Sequence, residues 1–146
     1  MDERDALARK SLDSLVELLA KDKWSVKFSW HESSATDWDT HTITINKNTT
    51  LPAQVVILLH EFGHVILDVQ QPTRTANGCV RMCGPRAKKN SVFIAGVLDE
   101  EVGAWEYAAR IARMHSVHFE PKTFHRIKAT SLASYVRWAA RPHREV

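Results

Sequence analysis

Between Pro52 and Asp68 the chain carries apolar residues on every side of a helical wheel: Val55, Val56, Ile57, Leu58, Leu59, Phe62, Val65, Ile66 and Leu67. A helix that is apolar all round must lie in the middle of a domain. This segment therefore constrains the fold more than any other. Pro52 suits a first helical turn, with Thr50 or Leu51 just before it. The second half of the segment is interrupted by His60, Glu61 and His64. Burying these groups is costly unless something satisfies them. Two histidines four residues apart lie about 40° apart around a helix axis, one turn above the other. Both imidazoles can then reach one zinc ion at about 2.0–2.1 Å. Glu61 lies within the same arc but points beside the metal, as a general base toward zinc-bound water must. Zinc lowers the pKa of that water and polarises a carbonyl, and Glu61 passes the proton to the leaving nitrogen. That chemistry is why the pattern needs these residue types at this spacing.

Catalytic zinc takes a third protein ligand and keeps a fourth position open. Asp68 is a poor source. It lies about 12 Å along the axis from His60 if the helix continues, and it is expected to cap or end that helix. The segment Leu98–Ala108 is better. On a helix, Glu101, Ala104, Trp105 and Ala108 share one face, and the two small alanines allow another helix to come close. Glu101 on that face would deliver a carboxylate to zinc, with Glu100 as its rival one position around. Asp99, Glu100 and Glu101 also suit a first turn, where the helix dipole favours acids. Gly63 inside the metal helix costs about 1 kcal/mol relative to Ala. Either a strand or substrate approaches closely there, or a bulky neighbour packs against it.

Elsewhere, residues 3–21 have the spacing of an amphipathic helix. Residues 24–30 and 41–46 alternate as half-buried strands and are expected to pair as a meander or hairpin. Residues 31–40 look turn-like. Residues 69–97 form a long segment that is basic up to Lys89, with Ser91–Ala95 as a short strand inside it. A stretch this long is usually functional. Helices are expected over 98–115, 121–128 and 131–141, the last with Ser131 as its cap.

The pattern His60-Glu61-Phe62-Gly63-His64 followed by Glu101-Val102-Gly103-Ala104-Trp105-Glu106-Tyr107-Ala108 resembles the gluzincin metallopeptidases of the ImmA/IrrE class, over roughly residues 41–110. The resemblance implies His60, His64 and Glu101 as zinc ligands and Glu61 as catalytic base. Trp105 stands where that family has Asn or Asp. An indole only donates, so the support of the zinc-bound histidine must be built differently here, for instance through a backbone carbonyl. Small metallopeptidases of phages and mobile elements resemble this layout too, including an Ala-Trp pair after the glutamate.

The expected architecture is thus α+β. It is a single zincin-like domain over residues 1–146, with a small twisted β-sheet packed against the buried metal helix and a second, Glu-bearing helix. The expected activity is hydrolysis of a peptide bond in a protein or peptide substrate, with one zinc per chain. The composition, 44% hydrophobic and 25% charged, is that of a globular chain and excludes disorder, collagen and coiled coil. No signal peptide is visible, and the longest apolar run, Val55–Leu59, is too short to span a membrane. A cytoplasmic setting without membrane contact is the expectation. Cys79 and Cys83 are too few for a disulfide framework and read as two thiols in a loop, a redox pair or half of a second zinc site. The oxyanion-stabilising residue stays open among Tyr107, His115, His118 and His125. An extended substrate could add as a strand beside residues 41–46 if these lie at a sheet edge. The charge runs from −4 over residues 1–68 to +5 over residues 102–146. The alternative function is a zincin-fold binding or regulatory module without catalysis; a second, lower-ranked form of it would associate with nucleic acid through the basic loop and Arg126, Lys128, Arg137, Arg141 and Arg144.

Overall fold

A computed structural model describes residues 2–72 and 91–141. Cys79, Cys83, Arg144 and most of the basic loop lie outside the described residues. Helix α1 (Glu3–Lys21) starts where the Asp2 carboxylate accepts the backbone N–H of Asp5 at 2.7 Å, a side-chain cap on a free helical donor. It buries Leu12, Leu15 and Leu19. Three short strands follow: β1 (Ser25–Ser29), β2 (Ala35–Asp37) and β3 (Thr42–Asn46).

The sheet order is β1-β3-β2. The two expected strands do pair, but in parallel, Ser25 opposite Thr42 through Ser29 opposite Asn46. The hairpin partner of β3 is β2, which runs antiparallel to it and comes from the segment read as turn-like. Its three residues are too few to show an alternating pattern. The connection from β1 is held by side chains: Asn46 Nδ2 donates to the Glu32 carbonyl at 2.8 Å and Asn48 Nδ2 to the Trp30 carbonyl at 2.7 Å. Strand β3 is therefore central, with Ile43 and Ile45 fully buried, and β1 and β2 are the two edges.

Helix α2 (Leu51–Gln70) is capped by Thr50, whose hydroxyl accepts the N–H of Ala53. It runs unbroken past Asp68, which neither caps nor ends it. By length and composition it is the one described helix apolar enough to cross a membrane. Here it is the central core helix, with Val55, Val56, Leu58, Leu59 and Val65 almost wholly buried. Helix α3 (Ser91–Met114) packs along it more extensively than any other element. Residues 91–95, expected as a strand, form its first turn, so Glu100 and Glu101 stand in mid-helix rather than at its N-terminus. Helix α4 (Pro121–Ala140) is one helix where two were expected. Ser131 lies inside it and caps nothing. The apolar spacing of Phe124, Ile127 and Leu132 continues across the polar stretch and packs on the core, which holds the helix together. Arg4 of α1 and Glu120 at the start of α4 form an ion pair that ties the first turn of α1 to the start of α4. The whole is an α+β, zincin-like arrangement.

Candidate metal centre

The site begins with a close approach of two helices. A Cβ placed on Gly63 would fall 2.1 Å from the Ala104 carbonyl oxygen and 3.2 Å from the Ala108 nitrogen. Neither a strand nor a bulky side chain explains this glycine. It faces the backbone of α3, where Ala104 and Ala108 are fully buried. With the axes this close, the residue one turn before Ala104 on α3 meets the residues flanking Gly63 on α2.

That residue is Glu101. Its Oε1 lies 2.6 Å from His60 Nε2 and its Oε2 lies 3.1 Å from His64 Nε2. The structure brings these three side chains together as a group able to hold a metal ion. Glu100 is placed differently. Its Oε1 is 3.4 Å from His64 Nδ1, on the far side of the ring from Glu101. His64 Nδ1 has no hydrogen-bond partner of acceptable direction, so Glu100 stands as a negative charge behind the ring.

The polar bookkeeping favours a cation. His60 Nε2 has no hydrogen-bond partner of acceptable direction although a carboxylate oxygen is 2.6 Å away. Buried polar atoms are almost always paired. A histidine nitrogen and a carboxylate oxygen that converge in this way fit a shared positive ion, and a His-His-Glu donor set suits zinc. The charges agree with this. Burial opposes protonation of His64, but Glu100 and Glu101 outweigh it and raise its pKa to about 10. Burial also opposes the charge on Glu101, but His60 and His64 outweigh it and hold its carboxyl far below the usual range.

Trp105 supports His60 without a hydrogen bond. The two rings stack with centroids 4.1 Å apart and planes 8° from parallel, and the indole meets Phe124 edge-on on α4. Ring stacking therefore stands where an Asn or Asp hydrogen bond, or a backbone carbonyl, was expected.

Glu61 opens onto a cleft of about 320 Å³ lined by Thr36, Trp38, His60, Glu61, His64 and Tyr135. The Thr36 hydroxyl on β2 donates to Glu61 Oε2 at 2.6 Å. On the α4 side, Ser131 Oγ donates to Glu101 Oε1 at 3.2 Å, and Tyr135 lines the same cleft. Burial, with the charges of Glu101 and Glu61, raises the Tyr135 pKa above its ordinary value. The phenol therefore stays protonated.

None of the oxyanion candidates read from sequence lines this cleft. Tyr107 and His115 line a separate pocket between α1, α2 and α3. His118 lies in a third pocket, beside Arg4, and His125 lies edge-on to Phe124. Arg126, Arg137 and Arg141 are exposed on and just beyond α4 and are not among the residues that line the cleft. Sequence reasoning missed Thr36, Ser131 and Tyr135. The one available signal was the four-residue spacing of Ser131 and Tyr135, which puts both on one helix face.

A peptidase family model described as the IrrE N-terminal-like domain matches residues 15–91. No curated protein and no solved structure matches. The matched span includes the sheet and all of α2. Glu101 and α4 lie beyond its end.

Proposed function

Since the chain belongs to the IrrE N-terminal-like family of peptidases, we propose that it cleaves a peptide bond with one zinc ion held by His60, His64 and Glu101. The observation that carries this is the meeting of those three side chains beside a cleft that contains Glu61. When bound, zinc supplies a Lewis acid that acidifies water and polarises a carbonyl.

The residues of the chain do the rest. Thr36 occupies Glu61 Oε2, which fixes the carboxylate plane and leaves Oε1 to take a proton from water and return it to the leaving amide nitrogen. Tyr135, protonated and in the same cleft, can donate to the carbonyl oxygen as charge develops there. Residues 41–46 are central, and β2 is the edge strand that borders the cleft, through Thr36 and with Trp38 just past its end. An extended peptide can add to its outer edge, which suits limited cleavage of a protein segment.

The test pairs metal analysis with Glu61→Gln. Purified wild type should carry one zinc per chain and cleave members of a fluorogenic peptide library. Glu61→Gln should keep the zinc and lose at least about 100-fold in rate. Full activity in Glu61→Gln would refute the enzymatic reading, and His60→Ala or His64→Ala with unchanged zinc would refute the site.

A further inference from the structure

Helix α4 has a divided character. Its fully buried residues are Thr123 and Phe124, both in the first turn. From Ser131 to Ala140 no residue is fully buried, so that half is not held by core packing alone. Yet Ser131 reaches Glu101, which is 1% exposed.

Glu101 cannot draw donors from water at that burial. Without metal, both histidines face it through Nε2, and His64 Nε2 lies within donating distance at 3.1 Å. With a cation bound through their Nε2 lone pairs, those nitrogens have no hydrogen left to give. The described donor that remains for the carboxylate is then the Ser131 hydroxyl on α4. We propose that Ser131 is a positioning residue for the metal-ligating Glu101, and that α4 is thereby a working part of the metal centre. The inference rests on the zinc site proposed above. Partners that hold a ligand in this way typically change metal affinity by about 10–100-fold.

A structural role alone predicts otherwise. Ser131 is only half-buried inside a helix, where Ala is the better helix former, so Ser131→Ala should not lower stability. The experiment is zinc competition against a chromogenic chelator on the full chain, with the visible spectrum of the cobalt-substituted protein. Ser131→Ala should weaken zinc binding by roughly tenfold and shift the cobalt bands, with the melting temperature of the metal-free protein unchanged. Ser131→Thr, which keeps the hydroxyl, should restore both. Ser134→Ala, exposed on the same helix, should match wild type. Zinc affinity of Ser131→Ala within about twofold of wild type, below the range expected for such a partner, overturns the inference while the functional reading stands. A wild type that binds no zinc overturns the functional reading, and the inference with it.

Discussion

Gly63→Ala is the sharpest test of how the site is built. The added Cβ would meet the Ala104 carbonyl oxygen at 2.1 Å, where ordinary contact begins at 3.4 Å. The obstacle is backbone in mid-helix, so no rotamer change relieves it. Helices α2 and α3 must part by roughly 1 Å, which loosens close packing along their whole contact. Overpacking of this kind costs about 1–3 kcal/mol, and a backbone clash belongs at the upper end. Replacing Gly by Ala in a helix returns about 1 kcal/mol. The expected net loss is about 2 kcal/mol, or roughly 6–8 °C in melting temperature for a chain of this size. Glu101, one turn from Ala104, moves with α3, so zinc affinity should fall as well. Urea unfolding and thermal melts in EDTA measure the first effect and zinc competition the second. Ala104→Gly in the same background should not rescue, because the clashing atom is not a side chain. A Gly63→Ala protein that is as stable as wild type and binds zinc equally well would refute the argument.

Other expectations follow from the same geometry. Thr36→Val keeps the shape of β2 but removes a hydrogen bond to a carboxylate, worth about 1.5–3 kcal/mol. The turnover rate should drop about tenfold with zinc content unchanged, and an unaffected rate would remove Thr36 from the machinery. Trp105→Leu removes the ring that stacks on His60. It should cost about 2–4 kcal/mol in urea unfolding and weaken zinc binding about tenfold, whereas Trp105→Phe keeps a ring face and most of the affinity. Zinc binding should also release a proton. Metal-free His64 holds its proton below about pH 10, since Glu100 and Glu101 outweigh the effect of burial, and the metal-bound ring does not. Zinc affinity should therefore rise about tenfold per pH unit through neutrality. Titration calorimetry in buffers of different ionisation heat counts the proton, and a count near zero at pH 7 would contradict this electrostatic account.

Much of the site is legible in the chain because it obeys helical period. The spacing of His60, Glu61 and His64 and the all-round apolar character of their helix survive any arrangement of neighbours. Glu101, Ala104 and Ala108 share a face for the same reason, and that face is the one against α2. The sheet was harder to read. Parallel pairing of β1 with β3 and the edge position of β2 depend on partners far apart in sequence, and a three-residue strand carries no period. The continuity of α4 across residues 129–131 is likewise a packing result, since local polarity there resembles a helix start.

The sequence by itself determined the buried helix and the placing of His60, Glu61 and His64 on one arc of it, because these depend only on rise and rotation per residue. Tertiary structure alone decided what surrounds them. It set Gly63 against the backbone of α3, Glu100 behind His64 and Trp105 flat on His60. It also brought Thr36 to Glu61, and Ser131 to Glu101. Each of these pairs joins different secondary-structure elements, and such contacts are set by how close-packed surfaces fit, which no local period records.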